Sequence, residues 1–173
     1  MMDIAISPAQ PDHFEELRAI ELAAFETLRN AGAVTGQAAA GSLAEFTHFY
    51  HHGLLLAAFT PNKVPVGFVA GTFEERWLHI AEVDVHPDWQ RKGVGRLLMK
   101  TILSAGQALD LRGATLTTDI AAAFNARFYA TLGFDIADTH SQPPHLARRL
   151  ADEIAGGFDP GRRTAMWMSW PGK

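Results

Sequence analysis

The 173-residue chain contains no cysteine. That excludes disulfides, a thiolate nucleophile, cysteine-ligated zinc and iron–sulfur clusters. Long apolar runs are missing as well. The longest, Leu54 to Phe59, falls far short of the roughly 20 residues needed to span a bilayer. The opening MMDIAISPAQ lacks a basic stretch followed by an apolar one, so no secretory signal is read and a cytoplasmic location is expected. Repeats, low-complexity tracts and Pro/Gly/Ser-rich linkers are absent, and a single domain over residues 1–173 is expected. With 47% hydrophobic residues, such a chain can bury a core without staples.

Basic residues are outnumbered, 15 Lys and Arg against 19 Asp and Glu. The excess of acid argues against general affinity for nucleic acid or an anionic membrane. One segment breaks the pattern. Residues 90–100 hold Arg91, Lys92, Arg96 and Lys100 and no acid, which marks a candidate site for a localised anion.

Periodicity gives a mixed α/β order. Ile4 to Ile6 reads as a strand, and Pro11 and Asp12 open a helix whose stripe is Phe14, Leu17, Ile20, Leu22 and Phe25. Ser42 and Glu45 have capping-box spacing at the head of a helix reaching about His51. Strands follow at Leu54–Phe59, Pro65–Phe73 and Trp77–Val85, the last stopped by His86-Pro87 because proline lacks a ladder donor. A helix with the face Val94, Leu98, Ile102, Ala105 and Leu109 comes next. The remaining elements are a strand at Ala114–Thr118, a helix at Ala121–Leu132 ended by Gly133, a strand at Phe134–Ala137, a helix at His145–Ile154 and a strand at Thr164–Trp170.

The chemistry points to Val83-Asp84-Val85-His86-Pro87-Asp88-Trp89-Gln90-Arg91-Lys92-Gly93-Val94-Gly95-Arg96. A strand ends, a loop follows and a helix starts near the two glycines. A helix N-terminus offers N–H groups and partial positive charge to phosphate, and glycine lets an anion approach closely. The dinucleotide fingerprint G-x-G-x-x-G fails because Leu98 stands three residues after Gly95, and no Gly-Lys-Ser/Thr exists for a P-loop.

Gln90-Arg91-Lys92-Gly93-Val94-Gly95 resembles the acyl-CoA loop, Q/R-x-x-G-x-G/A, of the GNAT superfamily of N-acetyltransferases. Asn125-Ala126-Arg127-Phe128-Tyr129-Ala130-Thr131-Leu132-Gly133-Phe134 resembles that superfamily's N-x-x-F-Y-x-x-L-G-F segment. The two segments stand about 30 residues apart, and the order of elements from Ile4 to Phe134 also fits. The resemblance implies an α/β (α+β) fold: a mixed, mostly antiparallel sheet of about seven strands, helices on both faces and a splayed central cleft for acetyl-CoA. It implies that the backbone of Val83 and Val85 pairs with the pantetheine arm. It further implies that Gln90, Arg91, Lys92, Gly93, Val94, Gly95 and Arg96 form the pyrophosphate loop, and that Asn125 lies near the pantetheine.

On this resemblance the expected reaction is acetyl transfer from acetyl-CoA to a small-molecule or peptide amine. Tyr129 is the candidate general acid for the departing thiolate. The amine must lose a proton before attack. Glu82 leads as base because family members often place a carboxylate there. His79 follows, since its ordinary pKa near 6.5 suits the task, and Asp119 is third. Period-two alternation puts Glu82 and Asp84 on one face of their strand and His79 on the other. Without cysteine there is no acyl-cysteine relay, so direct attack in a ternary complex is expected. Glu45, His48 and His52 share a helical face, but histidines beside an acid are common on surfaces and no metal is expected. Residues 139–161 insert a helix beyond the minimal family pattern that can wall the acceptor site or make a homodimer contact. A non-catalytic acyl-CoA-binding sensor on the same fold is the alternative. Glu74, Glu75, Glu82 and Asp84 hint at a cationic acceptor.

Overall fold

These patterns resolve into seven strands and five α-helices in the computed structural model, which describes residues 3–30, 32, 34–120, 123–138 and 140–172. In chain order they are β1 (Ala5–Pro8), α1 (Phe14–Asn30), α2 (Leu43–His52), β2 (Gly53–Phe59), β3 (Pro65–Glu74), β4 (Trp77–Val85), α3 (Val94–Ala108), β5 (Gly113–Asp119), α4 (Ala123–Ala130), β6 (Asp135–Ile136), α5 (Pro144–Ala155) and β7 (Arg163–Ser169). The expected start of α4 at Ala121 and the first residue of the insertion, Thr139, lie outside the described residues. Strand order is β1-β2-β3-β4-β5-β7-β6. The β1–β2, β2–β3, β5–β7 and β6–β7 pairs are antiparallel. β4 and β5 run parallel, paired at Leu78↔Ala114 and His79↔Thr115. This is the mixed, mostly antiparallel sheet that the resemblance implies.

The chain packs as two compact units, Met1–Thr72 with Ile80–Ser104, and Phe73–His79 with Ala105–Lys173. In the first, α1 and α2 lay aromatic and aliphatic side chains on β2 and β3. Phe46 stacks against Phe14 and Phe68 at ring-centre separations of 5.7 and 5.4 Å, within a buried cluster that includes Leu17, Ile20, Leu55 and Phe59. The stripe of α1 continues through buried Ala24, while Leu22 is exposed. The reason is angular: two residues past Ile20 is about 200° around the helix, whereas four residues returns to the same face. The expected capping box is present at the head of α2. The Ser42 N–H donates to Glu45 Oε2 at 2.7 Å, and the Glu45 N–H donates to Ser42 Oγ at 3.2 Å. β2 is buried at every position from Leu55 to Phe59, as its unbroken apolar run requires.

In the second unit, β5 pairs with β7 over seven residues from Gly113↔Ser169 to Asp119↔Arg163. The turn between β3 and β4 has two left-handed residues, Glu75 (φ 49°) and Arg76 (φ 68°), the backbone that matches a two-residue hairpin. Side chains hold it. Glu75 pairs with Arg148 at 2.5 Å, Glu74 pairs with Arg149, and Arg76 donates to the Asp110 carbonyl at 3.0 Å. The helix of the insertion, α5, is thereby tied to this turn. Its buried face carries His145 and Leu146.

Truncating Phe46 removes the ring shared by both neighbours. Phe46→Ala is expected to cost about 3–5 kcal/mol, while Leu22→Ala stays within about 0.5 kcal/mol. Urea denaturation of the two variants checks this.

Candidate functional site

The loop after β4 is built by a change of hydrogen-bond partner. The His86 N–H donates to the Val66 carbonyl at 2.9 Å, and Pro87 then offers no donor. The chain turns through a short 3₁₀ segment, Pro87–Trp89, in which the Trp89 N–H bonds the His86 carbonyl at 2.8 Å. The Gln90 side-chain amide reaches back to the Val85 carbonyl at 2.9 Å, closing the loop on the end of its own strand. Arg91 (φ 58°) and Gly93 (φ 87°) are both left-handed. For arginine that conformation is strained, by about 1–2 kcal/mol; for glycine it is not. The first intrahelical bond runs from the Leu97 N–H to the Gly93 carbonyl at 3.0 Å. The N–H groups of Val94, Gly95 and Arg96 therefore precede it, at the positive end of α3. A Cβ at Gly93 would meet no heavy atom within 4 Å, so the backbone faces open space there. Val94, Leu98, Met99 and Ile102 are buried and anchor the helix.

Val83 and Val85 lie half-buried on β4. Between and beside them the structure assembles a carboxylate group. Oxygens of Glu21, Glu82 and Asp84 lie within 4.8 Å of one another, so Glu82 and Asp84 do share a face. Burial pushes the Asp84 carboxyl up to about 7; a hydrogen bond from Glu82 opposes the shift and repulsion from Glu21 adds to it. Glu21 is raised by burial, partly offset by the Gly41 N–H donated to it at 2.8 Å. Glu21 is absent from the sequence reading. Its one signal is an acid embedded in an apolar run, Ile20-Glu21-Leu22-Ala23-Ala24, and periodicity cannot name its partners.

His79 belongs to the second unit and is buried. Its Nδ1 and the Thr115 hydroxyl lie 2.9 Å apart, and that hydroxyl lies 3.4 Å from His145 Nε2. Burial, aided by His145 and Arg163 and opposed by Glu153, lowers His79 to about 4; burial also lowers His145. Asp119 is ion-paired to Arg162 at 2.7 Å.

Tyr129 is half-buried on α4, its ring 5.3 Å from Phe128 and 6.1 Å from Phe134. Gly133 (φ 98°) ends the helix as expected. The Phe134 N–H donates to the Tyr129 carbonyl at 3.2 Å and the Gly133 N–H to the Ala130 carbonyl at 3.0 Å, the paired bonds of a Schellman cap. Asn125 is half-buried on the same helix. Glu45 is turned to Ser42, and among the described residues the three carboxylates above are the one group of three metal-type ligands gathered together. The set Glu45, His48 and His52 is not brought together as three ligands. Glu74 and Glu75, read as hints of a cationic acceptor, are neutralised by Arg149 and Arg148.

The chain belongs to the acetyltransferase (GNAT) family, whose sequence pattern matches residues 14–134. The same fold occurs in solved structures. The ribosomal-protein-S18-alanine N-acetyltransferase of Escherichia coli superposes with a TM-score of 0.71 at 17% identity, covering 99% of this chain and 97% of that one. The PaiA N-acetyltransferase of Thermoplasma acidophilum, solved with coenzyme A, gives 0.71 at 14% identity and covers 98% and 100%. A putative streptothricin acetyltransferase of Bacillus anthracis, solved with acetyl coenzyme A, gives 0.68 at 11% identity and covers 98% and 99%. Among the described residues, no helix is long and apolar enough to cross a membrane.

The depressed histidine makes a signed prediction. A group whose proton is bound less well in the fold than in the unfolded chain stabilises the fold above its ordinary pKa, and that stability is lost as pH falls toward the folded value. His79 should therefore withdraw up to about 3 kcal/mol between pH 6.5 and 4. Asp84, raised, acts in the opposite sense over an overlapping range. The difference between the protein and His79→Gln isolates the histidine: urea midpoints at pH 7 and pH 4.5 should converge in the variant relative to wild type.

Proposed function

We propose that residues 1–173 act as one acetyltransferase domain that transfers an acetyl group from acetyl-CoA to an amine by direct attack. The observation that carries this reading is the loop from Gln90 to Arg96. Two left-handed residues, an open glycine and the first-turn N–H groups of α3 fit a pyrophosphate, and Arg91, Lys92 and Arg96 add charge complementary to it. Val83 and Val85 are assigned to the pantetheine arm, whose amides suit an extended strand. Gln90 serves by holding the Val85 carbonyl in place. Asn125 is assigned to the pantetheine as well.

In the reaction the amine nitrogen attacks the thioester carbonyl. A C–N bond forms, the C–S bond breaks, the amine gives up a proton and the thiolate takes one. Tyr129 is assigned as donor to the thiolate. Glu82 is assigned as acceptor of the amine proton, with Asp84 beside it. Asp84, held near 7 and hydrogen-bonded to Glu82, can take that proton on at neutral pH far better than an ordinary carboxyl. The buried His79, at about 4 and bonded to Thr115, is a poorer acceptor and is assigned a supporting place in its own unit. The acceptor is proposed to be a cationic small-molecule or peptide amine, drawn by Glu21, Glu82 and Asp84.

Binding, thermal and kinetic measurements test this. Acetyl-CoA should raise the thermal midpoint, and Gly93→Asp should abolish that rise. Arg91→Gly should weaken acetyl-CoA binding several-fold while making the protein more stable, because it removes a charge and a left-handed arginine together. Unchanged binding in both variants would remove the cofactor assignment. Thiol release across an amine panel separates an enzyme from a binding-only sensor. With a productive amine, Tyr129→Phe should lose about 100-fold in kcat with acetyl-CoA affinity retained. The rate should fall as pH drops through about 7, and Asp84→Asn should move that limb.

A further inference from the structure

Outside the loop and the carboxylates, α2 carries a separate arrangement of ligand atoms. His48 and His52 stand four residues apart, both exposed, with ring centres 5.2 Å apart and planes at 40°. Residues four apart lie one above the other on a helix, so the backbone presents the two imidazoles together at no cost in loop ordering.

The separation is informative. A ring nitrogen binds Zn²⁺ at about 2.0 Å along the line from the ring centre, which puts the ion about 3.2 Å from each centre. Two such rings at the tetrahedral angle have centres about 5.2 Å apart, while a right angle would need about 4.5 Å. The observed spacing puts both rings within reach of one ion. Placement on the helix supports it. The pair occupies the last turn of α2, which ends where the Gly53 N–H bonds the Phe49 carbonyl. Carbonyl oxygens at a helix C-terminus favour a cation there. Glu45 adds a negative charge three residues before His48 while its Oε2 remains bound to Ser42. His51, by contrast, packs edge-on against Tyr50 at 4.9 Å, and its centre is 6.3 Å from His52, too wide for the same ion.

We propose that His48 and His52 form a two-histidine site for a tetrahedral transition-metal ion of the Zn²⁺ class, completed by water. The site is separate from the acetyl-transfer machinery and fastens the last turn of α2. The ion binds the folded helix and not the unfolded chain's dispersed histidines with this geometry, so its presence raises the thermal midpoint.

The test is titration of the full chain with Zn²⁺ alone at pH 7.5, read by calorimetry and by thermal midpoint. One ion per chain and a raised midpoint are expected. His48→Ala and His52→Ala should each weaken binding at least tenfold, and His51→Ala should leave it unchanged. All three positions are exposed, so folding is not at stake. Wild-type affinity in His48→Ala, an equal loss in His51→Ala, or no binding at pH 7.5 would each overturn the proposal. Acetyl-CoA binding in His48→Ala should equal wild type, which keeps this site's failure distinct from failure of the transferase reading.

Discussion

The way β4 is stopped sets the direction of everything that follows it in the first unit. Up to His86 the strand is pinned to β3, with the His86 N–H on the Val66 carbonyl. Pro87 then has no donor to give. The chain has to leave the sheet, and Gln90 fixes how far it goes by holding the Val85 carbonyl. From that anchored point two left-handed residues aim α3, and the buried side chains Val94, Leu98 and Ile102 lock its axis. Close approach is part of the same constraint: a Cβ at Gly67 would lie 3.0 Å from the Asp84 carbonyl and 3.2 Å from Leu98. β3, β4 and α3 are thus mutually positioned by close backbone and side-chain contacts that leave little slack.

The two units treat buried ionisable groups differently. In the first, three carboxylates are placed together, and burial makes two of them, Asp84 and Glu21, hold protons more tightly than ordinary carboxyls do. In the second, two histidines are held neutral around the Thr115 hydroxyl, and a nearby set, Glu153 with Thr117 and Arg163, absorbs charge through bonds of 2.7–2.8 Å. Both arrangements depend on desolvation. They bend pH dependence in opposite senses, so their sum says less about either than each variant does alone.

Much of this is legible in the sequence. Trp77–Val85 and the start of α3 at Val94 were fixed by proline and glycine, whose backbone limits are local. Ser42–Glu45 and Gly133 declared helix ends for the same reason. The face shared by Glu82 and Asp84 followed from a period of two. What stayed hidden was partnership across distance. Arg148 and Arg149 meet Glu75 and Glu74 more than 70 residues away. Thr115 meets His145 across 30. Glu21 meets Glu82 and Asp84 from a helix whose stripe reveals its buried side and nothing of what it touches. Periodicity names a face; only the fold names the neighbour. Leu22 is exposed although apolar, because a stripe is set by the angle between residues and not by their count.

The cap at Gly133 joins a backbone rule to a side chain that matters. Because the Phe134 N–H closes on the carbonyl of Tyr129 itself, the phenol's own peptide unit is held by a turn that the left-handed Gly133 lets the chain make. Inherited variation at position 133 is thereby restricted to residues that tolerate left-handed backbone, with asparagine the nearest substitute. A genetic screen for inactive alleles has reason to return this glycine beside the tyrosine. The two positions form one unit of selection, although only one of them has an atom to offer a substrate.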